Sequence, residues 1–379
     1  MIRSTCIVSV LVFVLSSLLI LYVLAGYPLI AALWARFFPQ PVTKQFAPRT
    51  VSILIPVRNG EQWLEAKLQT IGALDYPPEL LETIVISSAS QDRTTAIAKQ
   101  HAGSHLRVIE VEQPGKAIAL NAGMAAATGE ILFFTDVRQA LDPHCLKALV
   151  ANFADPRVGI VSGELVIREG ESLEEANVGL YWKYEKLIRS RQSRIDSIPG
   201  ATGCVCAMRR ELASPIPPGT LLDDVYLPLC AFVRGYRSVW EAEAKAFDYP
   251  ASLKTEFWRK VRTLAGVYQI LGMFPRLLVP NHRLWIHFVS HKLGRLILPY
   301  AFIAALLSSF GLPVPLRYWV LAAQAAFYSL ALLDLALSGT SPLKRLSSPA
   351  GTFVGLMAAS ACAASVLVVH PDKLWRPTR

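Results

Sequence analysis

Residues 5–34, from Thr5 to Trp34, run without a charged side chain. About 20 apolar residues suffice for a helix that crosses a bilayer, so this stretch is long enough to span with some tilt. The alternative is a cleavable signal peptide, whose apolar region is typically about 7–15 residues and ends in small residues. Arg36, Lys44 and Arg49 follow the stretch, and only Arg3 precedes it. Basic residues collect on the cytoplasmic side of a span, which predicts a plasma (inner) membrane protein with residues 37 onward in the cytoplasm.

Composition agrees with a membrane chain. Of the 379 residues, 53% are hydrophobic and 17% charged, whereas soluble domains carry roughly a quarter charged residues, which excludes an all-soluble or disordered chain. The net charge of +10, from 38 basic and 28 acidic residues, suits a membrane face or phosphate-bearing ligands. Charge alone does not point to nucleic acid, and no nucleic-acid partner is expected. Six cysteines are scattered at 6, 145, 204, 206, 230 and 362, and Cys204-Val205-Cys206 lacks the two-residue gap of a metal or redox pair. No disulfide framework and no zinc site are expected.

From about residue 48 the pattern becomes mixed and charged. The runs 51–57 (VSILIPV), 83–87 (TIVIS) and 130–136 (EILFFTD) are short, apolar and end in polar residues. Residues 61–73 and 92–102 between them read as helices. Strands alternating with helices predict a parallel α/β sheet with crossovers, and ligands bind such sheets at the carboxyl ends of the strands. Residues 256–292 alternate Arg, Lys and His with large apolar residues, the pattern of amphipathic helices on a membrane face. Residues 293–311, 316–337 and 352–369 are further candidate spans. The expected organisation is a spanning helix over 1–36, an α/β domain over 48–255, interface helices over 256–292, membrane helices over 293–370 and a basic tail over 371–379. Three spans plus the first would export that tail, whereas Lys373, Arg376 and Arg379 favour keeping it inside.

Several residues stand where ligand chemistry is expected. Pro56, Arg58 and Asn59 close the first strand, although Asn59-Gly60 is also a turn dipeptide. Gly115 allows close backbone approach and Lys116 can reach a diphosphate, or the two are a plain loop with a solvated lysine. No GxxxxGK[ST] and no GxGxxG occurs. Asp136 suits Mg²⁺ or Mn²⁺, which take carboxylate and phosphate oxygens, or it caps a turn. Adjacent carboxylates such as Asp223 and Asp224 compete for protons in apolar surroundings, and one suits proton abstraction, but both also suit a helix N-terminus. Arg259 and Arg262, three apart, can clamp a diphosphate or bind lipid headgroups.

In this order the segments VSILIPVRNG, IVISSASQDRT, PGKAIALNAGMAAATGEILFFTD, GATGCVCAMRREL, LLDDVYLPLCAFVRGY and EFWRKVRTLAG resemble the membrane-bound family 2 glycosyltransferases, the inverting GT-A group. The resemblance covers roughly residues 50–270. It implies a GT-A cytoplasmic domain with flanking transmembrane helices. It further implies transfer of a sugar from a nucleotide-sugar, with a UDP-sugar expected, to a glycan or lipid-linked acceptor in cell-surface polysaccharide synthesis. Pro56, Arg58, Asn59, Ser88 and Lys116 would line the donor site. Asp136 matches the first aspartate of the family's metal-binding Asp-x-Asp, and Arg259 and Arg262 match its diphosphate element. Gly200, Ala201, Thr202 and Gly203 would lie beside the acceptor. Asp224 matches the catalytic base, with Asp223 next to it.

The chain departs from that pattern at three places. Ser87-Ser88 stands where the family often has acidic residues, Arg138 replaces the second aspartate of Asp-x-Asp, and Thr263 stands where processive synthases carry tryptophan. A competing reading is therefore a non-catalytic membrane protein whose degenerate GT-A domain binds a nucleotide or a partner subunit. Transport as the sole function is not expected, because Asp334 is the only acidic residue in the C-terminal candidate spans.

Overall fold

Strands buried on both faces read as continuous apolar runs, because helices cover each side of the sheet. In a computed structural model, which describes residues 2–167, 173–249, 253–337, 341 and 343–369, such runs form the centre of an eight-stranded sheet. Its strands are β1 (Val51–Val57), β2 (Leu81–Ser88), β3 (Leu106–Val111), β4 (Ile131–Phe134), β5 (Ala140–Leu141), β6 (Val158–Ile167), β7 (Cys206–Arg209) and β8 (Arg237–Asp248). The spatial order is β3-β2-β1-β4-β7-β6-β8-β5. The chain divides into two units, one comprising Met1–Arg36, Glu169–Ile188 and Pro250–Arg379, the other Phe37–Arg168 and Arg189–Tyr249. The sheet belongs to the second.

Side chains alternate across the central strands, as a period of two requires. Ile53, Ile55, Val85 and Phe133 enter one core with Leu64 and Leu146 from the helices Glu61–Gly72 and Cys145–Ala151. Leu54, Ile84, Ile86, Leu132 and Phe134 enter the other, with Leu120 and Leu227 from the helices Lys116–Ala126 and Asp223–Val233. Both clusters are buried, so apolar packing supports the sheet from either face.

The parallel expectation holds for half of the sheet. Strands β3, β2, β1 and β4 are mutually parallel. The remainder is mixed: β7 is antiparallel to both β4 and β6, β6 is parallel to β8, and β5 is antiparallel to β8. The reason lies in where the chain re-enters. Residues 200–205 return along the edge where β4 ends, so β7 starts at that edge and runs down the sheet, with Cys206 opposite Phe134.

The other unit is helical. Four helices, Cys6–Phe37, Trp285–Ser309, Leu316–Ala336 and Lys344–Leu367, are long and apolar enough to cross a membrane. The first contains a π-helical turn at Tyr22–Gly26. The second candidate span begins at Trp285, ahead of the expected residue 293, because its polar residues are satisfied inside the unit. His287 Nδ1 lies 3.0 Å from the Tyr27 hydroxyl, Ser290 Oγ lies 2.6 Å from that of Tyr22, and the His291 ring stacks on Tyr27. The helix Leu253–Met273 precedes it. Asp334 is buried against Lys344 (3.2 Å) and accepts a 2.7 Å bond from Ser347 Oγ, a clamp between two candidate spans. The expected basic tail, with Lys373, Arg376 and Arg379, lies outside the described residues.

Candidate active site

The carboxyl edge of the sheet gathers residues that are far apart in sequence. Parallel register places Val57 beside Ser87, and Leu54 beside Phe134. The antiparallel pairing of β4 with β7 brings residues 202–205 to the same edge. Asp136 follows β4 at that edge, as expected of a strand-terminal ligand.

Lys116 is the centre of the assembly. Its Nζ lies 3.0 Å from Asp136 Oδ1 and 3.2 Å from Asp223 Oδ2. Burial opposes its charge, but Asp136, Asp223 and Asp224 together outweigh that and hold its pKa above the ordinary lysine value. One ammonium thus faces three carboxylates, one just after β4 and two at the start of the helix Asp223–Val233. Placing the lysine there takes a special backbone. Gly115 has φ +149°, a conformation L side chains rarely adopt, and its N–H donates to Ser88 Oγ at 3.1 Å. Ser88 in turn donates to Gln113 O at 3.0 Å. Ser88 therefore holds the loop that delivers Lys116.

Asp223 and Asp224 open the helix Asp223–Val233, where a carboxylate favours the helix dipole. Ala201 N–H donates to Asp224 O at 2.7 Å, which ties the expected acceptor loop to this helix start. A Cβ on Gly200 would lie 2.8 Å from Val225 Cγ2, so a larger residue there would displace the valine side chain. Thr202 is fixed by its N–H to Ser162 Oγ (2.8 Å) and by Arg189 Nη1 donating to its Oγ1 (2.9 Å). Gly203 packs directly against the carboxylate and the lysine. A Cβ there would stand 3.6 Å from Lys116 Nζ and 3.7 Å from Asp224 Oδ2. The structure thus brings together Lys116, Asp136, Gly203, Asp223 and Asp224.

The end of β1 is organised differently. Asn59 adopts φ +51°, its Oδ1 accepts from Gln91 N–H at 2.8 Å, and Gly60 N–H donates to Thr94 Oγ1 at 2.8 Å. These bonds knit the ends of β1 and β2 together, with Arg58 exposed and Pro56 half-buried beside them. Arg259 and Arg262 lie on Leu253–Met273 of the helical unit, where Arg259 pairs with Glu256 at 2.7 Å.

Two supporting groups escape the sequence reading. Lys67, 1% exposed, donates to Thr135 Oγ1 at 2.6 Å and to Gln139 O at 2.7 Å. Burial pulls its pKa down to about 8, against the opposing effect of Cys204, Asp136 and Cys145. Its signal was spacing: it shares a buried helix face with Leu64 and Ile71. Asp248, at the end of β8, accepts from Arg138 Nη2 at 2.5 Å and from Gln139 Nε2 at 2.8 Å. Arg138 therefore anchors its loop to the sheet.

A hard divalent cation takes oxygen donors and often shares them with substrate phosphates. Asp136 supplies a carboxylate that is 37% exposed, and among the described residues no group of three His, Cys, Asp or Glu forms a metal cage. The donor set fits a cation held by Asp136 together with phosphate oxygens.

Residues 52–216 match the family described as Glycosyl transferase family 2, and residues 136–333 match Glycosyl transferase family group 2. Over 226 residues the chain is 25% identical to the probable glycosyltransferase YdaM of Bacillus subtilis (strain 168), covering 55% of this chain and 53% of that protein. Over 229 residues it is 24% identical to the poly-beta-1,6-N-acetyl-D-glucosamine synthase of Staphylococcus aureus (strain COL), covering 58% and 55%. The chain spans about half the length of these curated relatives. Among solved structures, the mannosyltransferase PcManGT from Pyrobaculum calidifontis, in complex with GDP-Man and Mn²⁺, is similar over 97% of this chain and 99% of that one, with a TM-score of 0.70 and 22% identity.

Proposed function

The chain belongs to the family 2 glycosyl transferases, and from that premise we propose that it moves a sugar from a nucleotide-sugar to a glycan or lipid-linked acceptor with inversion. The observation that carries this reading is Lys116, held between Asp136 and Asp223 at the strand ends with Asp224 in reach. Ser88 and Gly115 place that lysine to take the donor's diphosphate. Pro56, Arg58 and Asn59 border the donor at the end of β1. Arg259 and Arg262 join the proposed donor set on the strength of their Arg-x-x-Arg element alone.

Of the two adjacent carboxylates, Asp223 is paired with Lys116, and Asp224, the residue that matches the family's base, lies beside Gly203, where an added Cβ would touch its Oδ2 at 3.7 Å. Asp224 is accordingly assigned to take the proton from the acceptor hydroxyl as its oxygen attacks the anomeric carbon. Gly200, Ala201, Thr202 and Gly203 bound the acceptor's side. A Mg²⁺ or Mn²⁺ ion at Asp136 would neutralise charge on the departing diphosphate. The donor is proposed to be a UDP- or GDP-sugar, the first from the sequence pattern and the second by analogy with the GDP-Man bound in PcManGT. The four apolar helices support a membrane location, and the basic residues Arg36, Lys44 and Arg49 at and beyond the end of the first support a plasma-membrane orientation with the catalytic unit in the cytoplasm.

Arg138 favours a second reading, a GT-A domain that binds nucleotide without transfer, because its Nη2 is engaged by Asp248 where the family places a metal-binding aspartate. Donor hydrolysis by detergent-purified protein separates the two. UDP-, GDP- and dTDP-sugars are offered with Mg²⁺ or Mn²⁺ to wild type, Asp224→Asn and Asp136→Ala. Transfer predicts nucleoside diphosphate release that falls about 10²–10⁴-fold in Asp224→Asn, the usual range for a lost general base. Release that survives Asp224→Asn removes that residue from the role. Nucleotide binding without release from any donor, even with membrane lipid extract added, establishes the second reading.

A further inference from the structure

The loop from Thr135 to Gln139 carries the single exposed carboxylate of the proposed cation site, and both of its ends rest on one buried side chain. Lys67 Nζ holds Thr135 Oγ1 and Gln139 O at 2.6 and 2.7 Å. Thr135 Oγ1 passes the connection on by donating to Cys204 O at 2.8 Å, next to Gly203. The far end is fixed a second time, by Gln139 Nε2 on Asp248. Asp136 lies between these anchors. A lysine on the buried face of an amphipathic helix costs stability that leucine would not, so its retention calls for a task that an apolar residue cannot perform.

We propose that Lys67 is a positioning residue for the donor site: by clamping Thr135 and Gln139 it fixes Asp136 where a diphosphate-bound divalent cation is to be met. This rests on the reading of Asp136 as the cation's protein ligand. Lys67 touches neither donor nor acceptor. Arg138 leaves Asp136 as the one acid of the loop, so its placement rests on these anchors. Burial strengthens these bonds, and the charge on the donor makes them directional.

The test is Mn²⁺ binding to the full-length protein in detergent, followed by electron paramagnetic resonance with UDP or GDP present. Melting temperature is measured in parallel. Lys67→Met is expected to weaken Mn²⁺ binding about tenfold or more. Thr135→Val, which keeps the lysine and removes one anchor, is expected to weaken it several-fold and serves if Lys67→Met does not fold. In an Asp136→Ala background both effects should vanish. Unchanged Mn²⁺ binding in Lys67→Met or Thr135→Val, with only the melting temperature lowered, would make the lysine purely structural and overturn the proposal. An undiminished effect in the Asp136→Ala background overturns it too, since the lysine would then act elsewhere. Asp136→Ala binding Mn²⁺ as wild type does would instead remove the reading of Asp136, and the proposal with it, even where donor hydrolysis is normal.

Discussion

Lys67 carries its proton where water does not reach it, and that makes its contribution to stability depend on pH. The unfolded chain keeps the proton up to the ordinary value of 10.5, while the folded protein gives it up near 8. Below pH 8 the folded state bears the full cost of the buried charge. Between pH 8 and 10.5 the unfolded state binds more protons, so this term shifts toward the folded state as pH rises. Wild type should gain up to roughly 3 kcal/mol on Lys67→Met across that window, by the usual 1.36 kcal/mol per unit. Denaturation of both proteins at pH 7.5 and 10 checks it, and parallel curves would refute it. Ser88 gives a second expectation. Ser88→Ala leaves Gly115 N–H without its acceptor, which costs about 1 kcal/mol. The loop before Lys116 then loosens, and donor KM should rise several-fold while the melting temperature falls by a few degrees. An unchanged KM would restrict Ser88 to a packing role.

At the level of elements, the site depends on how β6 and β8 meet. The register shifts between Ser162 and Glu164, and Gly163 sits at that irregularity, where an added Cβ would collide with Ala244 O. Gly163→Ala should therefore cost about 1–3 kcal/mol, as overpacking does. The displacement should also reach Thr202 through Ser162, so activity should drop more than stability alone accounts for. Thermal unfolding beside donor hydrolysis measures both. The central strands were readable because VSILIPV and TIVIS are apolar on both faces, as parallel strands under helices must be. Strands β3, β5, β6, β7 and β8 were not read, and the two- and four-residue β5 and β7 take their register from partners rather than from their own pattern. Lys116, Asp136, Asp223 and Asp224 were legible as polar residues that close a strand or open a helix, and the structure brings them together. Lys67 was hidden in an apolar helix face, and the bond from Arg138 to Asp248 joins residues 110 apart, a pairing that no local pattern carries.

For the molecule as a whole, the helical unit contains a charge pair at a place that length and hydropathy assign to a membrane. Asp334 and Lys344 are both buried, and Lys344 Nζ also donates to Asp334 O at 2.8 Å. A buried acid whose partner is removed is left uncompensated, which costs about 3–5 kcal/mol. Lys344→Met should therefore lower the melting temperature in detergent markedly, and adding Asp334→Leu should restore most of it. A single variant as stable as wild type would show that the pair is solvated. This pairing also explains why the acid in the span needs no transport role: it joins the helices Leu316–Ala336 and Lys344–Ala363.

The antiparallel seat of β7 has a consequence in time. Strands β1 to β4 leave the ribosome together and can pair among themselves, but β4 keeps an open side until Cys206–Arg209 has been made. Non-local pairing of this kind is slow, because a long loop must close first. Pulse-labelled hydrogen exchange during refolding should accordingly protect the amides of β1, β2 and β3 before those linking β4 to β7, and simultaneous protection would refute that order. A nascent chain halted before β7 would carry Lys116 and Asp136 but not yet Asp223 and Asp224. The two halves of the proposed site are thus made in sequence, the second only with β7.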